Sequence, residues 1–115
     1  MAEVSIITPC YNSSKYLEET IQSVLNQSFT DWEWLITDDC STDNSIEIIQ
    51  KYPDKRIHLT IATSNGGAGK TRNTSLEKAT GRFITFLDSD DFWEPDFLAK
   101  MIGFMKSENV ELAYC

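Results

Sequence analysis

The chain has 115 residues, 41% hydrophobic and 24% charged, which suits one small domain with a modest core and rules out a disordered segment. Its formal net charge of −8 argues against nucleic acid or an anionic membrane surface as a partner, so a phosphate-bearing ligand would need a metal to mediate. No apolar run approaches the roughly 18 residues of a membrane span.

Val4 to Thr8 reads as a short apolar strand stopped by Pro9. Leu17, Ile21, Val24 and Leu25 then fall on one face of a helix that Ser13 or Ser14 could cap. A second strand, Trp32 to Thr37, ends in Asp38 and Asp39, and the polar run 41–45 leads into a short helix with Ile46 and Ile49 on one side. Ile57 to Thr63 gives a third strand, followed by the loop 64–69 and a helix through about Lys78, with Gly81 marking its end. The fourth strand is the apolar run Phe83, Ile84, Phe86 and Leu87, which stops abruptly at Asp88, Asp90 and Asp91. Pro95 suits the first turn of the next helix and Asp96 its positive end; Phe97, Leu98, Met101, Ile102 and Met105 form its apolar face. Glu111 to Cys115 begins a fifth strand.

Strands joined by crossover helices predict an α/β, Rossmann-like, mostly parallel sheet with helices on both faces, in the order 3-2-1-4 plus the fifth strand. That order brings the carboxyl ends of strands 2, 1 and 4 side by side, and ligands bind where such an order reverses. One rim then carries Pro9, Cys10 and Tyr11, the acids Asp38 and Asp39, and the acids Asp88, Asp90 and Asp91. Carboxylates this close repel, and a hard divalent cation held by oxygen ligands resolves the repulsion. An aromatic face beside hydrogen-bond acceptors and a metal-binding run reads as a nucleoside diphosphate site. A solvated acidic turn capping the next helix is the simpler alternative.

Residues 64–71, Ser-Asn-Gly-Gly-Ala-Gly-Lys-Thr, depart from the P-loop pattern only in carrying Ser64 where its first Gly belongs. The missing Gly and the position after a third strand weigh against a phosphate cradle, although Lys70 and Arg72 could reach a phosphate. Cys10, Cys40 and Cys115 are odd in number and lack CxxC spacing, so reduced thiols are expected.

The stretches 4–12, 23–29, 32–43, 65–73 and 86–91, taken in order, resemble the inverting family 2 glycosyltransferases of the GT-A fold, over essentially the whole chain. The resemblance implies a single nucleotide-diphospho-sugar-binding domain over 1–115, the N-terminal half of a GT-A fold, using a UDP-sugar donor with Mn2+ or Mg2+. Carried over by position, Pro9 and Tyr11 would contact the nucleobase and Asp39 would accept a hydrogen bond from it. Arg72 would hold the nucleoside side, Asp88 would face the ribose, and Asp90 and Asp91 would bind the metal. Cys40 stands where many members carry Gly or Asn. Members continue well beyond this length, so the chain reads as truncated at its C-terminus, with the general base expected beyond Cys115 and an unfinished sheet edge that predicts self-association. The acceptor, a saccharide or glycoconjugate, is undefined. With no basic segment at its start the chain reads as cytoplasmic, peripheral membrane attachment staying open for a longer protein. The competing readings are a response-regulator-like receiver, a P-loop-like phosphate-binding domain and a non-catalytic interaction module.

Overall fold

A computed structural model describes residues 2–62, 66–108 and 112–114. Strand and helix alternate from β1 (Val4–Cys10) through α1 (Ser14–Leu25), β2 (Trp32–Asp38), α2 (Ser45–Gln50), β3 (Ile57–Ile61), α3 (Ala68–Glu77), β4 (Phe83–Phe86) and α4 (Phe97–Glu108) to β5 (Leu112–Tyr114). The expected sheet forms: all pairs are parallel, in the order β3-β2-β1-β4-β5. Central β1 sets the register, with Val4 opposite both Trp32 of β2 and Phe83 of β4. Thr63, Ser64, Asn65, Glu111 and Cys115, which the sequence reading assigned to strands or the glycine-rich loop, lie outside the described residues.

The alternation of β1 sorts its side chains between two unequal cores. Val4, Ile6 and Cys10 face the larger one, with Trp34, Ile36, Phe83 and the buried faces of α1, α2 and α4. Ile7 faces the smaller one with Leu35 and Phe86, on the side that α3 covers. Leu17, Ile21 and Val24 of α1 are fully buried, each contributing roughly 1.5–3 kcal/mol over an exposed position, so tertiary packing rather than helix propensity holds α1. The Trp34 indole N–H, fully buried, donates to Thr8 Oγ1 at 2.8 Å and so carries no unsatisfied-donor cost.

Several local expectations are corrected. β1 does not stop at Pro9 but runs on to Cys10 opposite Asp38. The Ile7 carbonyl accepts from Leu87 N, so alternate residues of β1 turn their backbone groups toward β4, and Pro9 presents its missing N–H where β4 has already ended. Neither Ser13 nor Ser14 caps α1 through its side chain; the Asp43 carboxylate accepts from Ser14 N at 3.2 Å instead. In α2 the buried isoleucines are Ile48 and Ile49, with Ile46 only half-buried. α3 ends at Glu77 with Lys78 as its cap, as expected, but Gly81 has a role other than marking that end: a Cβ there would stand 2.6 Å from Ser5 N. Pro95 and Asp96 form a turn ahead of α4, which starts at Phe97, and Asp96 pairs with Lys100 at 3.0 Å. Among the described residues no helix is long and apolar enough to cross a membrane.

Candidate functional site

Three strand ends open into one cleft of about 470 Å³. β1 delivers Pro9, Cys10 and Tyr11 to it, β2 delivers Asp39, and the turn after β4 delivers Asp88, Ser89 and Asp90. The first turns of α1 and α3 close its sides with Ser13, Tyr16, Gly67 and Thr71. Tyr11 is 49% exposed, which leaves an aromatic residue at the cleft accessible to a planar ligand.

Asp38 and Asp39, adjacent in sequence, do different work. Asp38 is fully buried and accepts from Ser41 N at 2.8 Å and Ser41 Oγ at 2.6 Å, which fixes the loop after β2 and keeps it out of the cleft lining. Asp39 turns the other way and accepts from Gly66 N at 2.7 Å and Gly67 N at 2.9 Å. Those two N–H groups are the ones a P-loop would aim at a phosphate, and Asp39 holds them; Gly66 and Gly67 thus form a strap to the end of β2 and not a phosphate cradle. Gly67, at φ +85°, supplies the left-handed conformation that turns this strap into α3.

Asn12 performs a matching task at the end of β1. With φ +48°, a conformation asparagine tolerates, it donates its N–H to Ser41 Oγ at 2.9 Å and accepts from Thr42 N at 2.8 Å through its side chain. The loops after β1 and β2 are therefore one hydrogen-bonded unit. Cys10, between them, is 1% exposed, and burial, reinforced by the neighbouring charge of Asp38, pushes its thiol up to about 12. It lines the cleft as a neutral thiol and offers no nucleophile. Cys10 and Cys40 are both free, as expected.

At the opposite end, carboxylate oxygens of Asp88, Asp90 and Asp91 lie within 4.8 Å of one another, all exposed. The Asp91 carboxyl is raised above its ordinary range, by burial first and then by the charges of Asp90 and Asp88. Three hard oxygen donors this close repel one another, and a divalent cation fits among them because it relieves that repulsion.

Of the residues expected at the site, Pro9, Tyr11, Asp39, Asp88 and Asp90 line the cleft together. Asp91 joins through the acid cluster, just beyond the lining. Arg72 does not line it: its guanidinium sits 5.8 Å from the Phe86 ring, on the α3 side of the sheet, with a buried Nε that finds no hydrogen-bond partner among the described residues.

The sequence reading missed the residues that hold the acids in place. Thr20, buried on α1, donates its hydroxyl to the Asp91 carbonyl at 2.5 Å, with the Ser89 carbonyl at 3.1 Å. Ser13 Oγ and Ser89 Oγ are hydrogen-bonded to each other, and Ser13 Oγ also donates to the Tyr11 carbonyl at 3.2 Å. A signal existed: Thr20 falls between Leu17 and Val24 on the apolar face of α1, and a polar residue in a core position demands a partner.

The family model for "Glycosyl transferase family 2" matches residues 5–115. TuaG of Bacillus subtilis (strain 168), named as a candidate teichuronic acid biosynthesis glycosyltransferase, is 47% identical over 113 residues, which are 96% of this chain and 45% of that protein. The crystal structure of Staphylococcus aureus TarS residues 1–349 in complex with UDP superposes with a TM-score of 0.88 at 37% identity, over 95% of this chain and 33% of that one. The mannosyltransferase PcManGT of Pyrobaculum calidifontis, in complex with GDP-Man and Mn2+, gives 0.84 at 27% identity, over 90% of this chain and 32% of its own. The chain thus spans less than half the length of these relatives.

Proposed function

The chain belongs to glycosyl transferase family 2, and from that premise we propose that its cleft binds a nucleoside diphosphate sugar, with uridine diphosphate as carrier and Mn2+ or Mg2+ on the diphosphate. The transfer served is to a saccharide or glycoconjugate acceptor with inversion, in the cytoplasmic steps of polysaccharide assembly. One observation carries this reading: a single rim presents an exposed aromatic residue at Tyr11, an acceptor at Asp39 and three clustered carboxylates after β4. The UDP complex of TarS and the Mn2+ complex of PcManGT support it.

Within that reading Tyr11 stacks on the pyrimidine, with Pro9 beside it. Each oxygen of Asp39 accepts one loop N–H and keeps further lone-pair capacity, so Asp39 can hold its strap and still accept from the base. Asp88 accepts from the ribose, and Asp90 and Asp91 are the cation ligands; Arg72, outside the cleft lining, makes no contact with the nucleoside in this reading. A cation held there supplies Lewis-acid neutralisation of the charge that develops on the departing diphosphate. No residue of the chain is assigned as the base that deprotonates the acceptor; the role proposed for these residues is donor binding. The sheet edge at β5 and the exposed Phe104 offer surface for self-association, and sedimentation over a concentration series tests it, a monodisperse monomer counting against it.

The deciding experiment is calorimetric titration of UDP, with ADP and GDP as controls, with and without Mn2+. UDP binding that Mn2+ strengthens, the Mn2+-dependent part disappearing in Asp90→Ala, is the expected result. Absence of UDP binding, or equal affinity for all of the nucleotides, overturns the reading.

A further inference from the structure

The carboxylates at the acid end of the cleft are exposed, yet the backbone that carries them is anchored from below by a different element. The turn itself has one internal backbone bond, Asp91 N to the Asp88 carbonyl at 3.1 Å. Further hydrogen bonds to it come from α1 and from Ser13 just ahead of that helix. The hydroxyl of Thr20 has a single proton, and the 2.5 Å contact assigns it to the Asp91 carbonyl, with the Ser89 and Tyr16 carbonyls as longer branches at 3.1 and 3.2 Å. Ser89, the residue between Asp88 and Asp90, is buried and turns its hydroxyl to Ser13. Because the Ser13 proton goes to the Tyr11 carbonyl, Ser89 is the donor in that pair. The chain of contacts therefore runs from the backbone of Tyr11, through Ser13, to the acid turn. Thr20 is 1% exposed, and its hydroxyl lies among carbonyls of the turn and of α1.

Resting on the nucleotide-and-cation reading above, we propose that Thr20 is a positioning residue for the cation site: by holding the Asp91 and Ser89 carbonyls it sets the spacing of the Asp88, Asp90 and Asp91 carboxylates and thereby the affinity for the divalent cation. It touches neither cation nor nucleotide. Three exposed carboxylates repel one another, and an unanchored turn would relax by spreading them, which raises the cost of bringing them back around an ion. Anchoring the backbone confines that spread before the ion arrives. Groups that orient ligating carboxylates commonly alter metal affinity about 10- to 100-fold when removed.

The test is titration of Mn2+, followed by electron paramagnetic resonance of the free ion, into the 115-residue protein with UDP at saturation, beside calorimetry of UDP in metal-free buffer. Thr20→Val, which keeps the shape and deletes the hydroxyl, is expected to weaken Mn2+ binding by about tenfold or more while metal-free UDP affinity stays within about twofold. Thr20→Ser restores the hydroxyl and is expected to recover most of the loss. A Thr20→Val protein that binds Mn2+ like the wild type overturns the proposal, as does an equal loss of metal-free UDP binding, which would mark a general structural defect. If circular dichroism shows Thr20→Val unfolded, Thr20→Ala, which deletes the same hydroxyl without adding a methyl, takes its place with the same expected split. A wild-type protein that binds neither UDP nor Mn2+ overturns the nucleotide reading and the positioning role with it, whereas normal wild-type binding with an unaffected variant overturns the positioning role alone.

Discussion

Gly81 lies directly against the backbone of Ser5: its N–H donates to Ser5 Oγ at 2.7 Å, and a Cβ on Gly81 would stand 2.6 Å from Ser5 N and 2.8 Å from the Val4 carbonyl carbon. The segment that leads into β4 is thereby pressed onto β1, the strand on which the whole sheet is registered. Ser5 Oγ passes the contact on to Glu33 at 2.5 Å, and Glu33 also accepts from Thr80 N at 2.7 Å. Burial raises the Glu33 carboxyl, but the hydrogen bonds from Ser5 and Thr80 outweigh it and leave the group below its ordinary range.

Gly81→Ala is therefore expected to destabilise the fold, because the obstructing atoms are backbone and cannot swing aside. Overpacking of this kind costs about 1–3 kcal/mol. Thermal unfolding should show a midpoint lowered by several degrees, about 3–6 °C for each kcal/mol in a domain of this size. A variant as stable as the wild type would show that β4 can step back from β1.

The strap formed by Asp39 gives a second prediction. Asp39→Ala leaves Gly66 N and Gly67 N without their acceptor, and hydrogen bonds to a charged group contribute about 1.5–3 kcal/mol each when the partner is retained. Hydrogen exchange at both amides should accelerate, while exchange in β1 stays slow. UDP affinity should fall as well, since the strap and the base acceptor are the same carboxylate; unchanged exchange at Gly66 and Gly67 would remove the strap.

The sheet and the acid cluster could be read from the sequence, while their anchors could not, and the difference is physical. Runs such as Val4–Thr8 and Trp32–Thr37 announce strands through local composition, and crossover helices leave few orders for them. Asp88, Asp90 and Asp91 stand together because the chain itself places them together. Ser13 and Ser89, by contrast, are 76 residues apart, as are Ser5 and Gly81, and each pair meets only once the sheet has formed. Ser13 looked like a cap and Gly81 like a helix stop because those are the local roles of Ser and Gly. Pro9 looked like a strand end for the same reason, since the side on which its missing N–H falls depends on where β4 stops.

Cys40 adopts φ +61°, a left-handed conformation that glycine and asparagine accept more readily than cysteine, and its thiol donates to the Ala62 carbonyl at 3.1 Å. This gives a physical reason for Gly or Asn at the corresponding place in the resembled family. Cys40→Asn is expected to raise stability by up to about 1 kcal/mol through relief of that strain. Cys40→Val, β-branched, is expected to lower it by more than about 1 kcal/mol. Urea unfolding of the pair tests the sign; two variants shifted in the same direction would show that side-chain contacts, and not backbone strain, govern the position.

Asp43 joins the first turns of two helices with one carboxylate. Oδ2 accepts from Ser14 N of α1 at 3.2 Å, while Oδ1 accepts from Ser45 N at 2.9 Å and Ser45 Oγ at 2.6 Å at the start of α2. Burial acts to raise its pKa, but the bonds from Ser45 and then Ser14 prevail and bring it from 3.8 down to about 2. A carboxyl depressed in the folded state contributes stability above its unfolded value and loses it as pH falls through the folded one. The contribution of Asp43 is thus fully present above about pH 4 and fades between there and about pH 2. Asp43→Ala should be less stable than the wild type at neutral pH, with the gap between their urea midpoints narrowing across that window as the wild-type carboxyl takes up its proton. The fraying should concentrate in the first turns of α1 and α2, where the carboxylate also opposes the positive helix ends. A gap that stays constant from pH 7 to pH 2 would mean that the residue acts through packing and not through its charge.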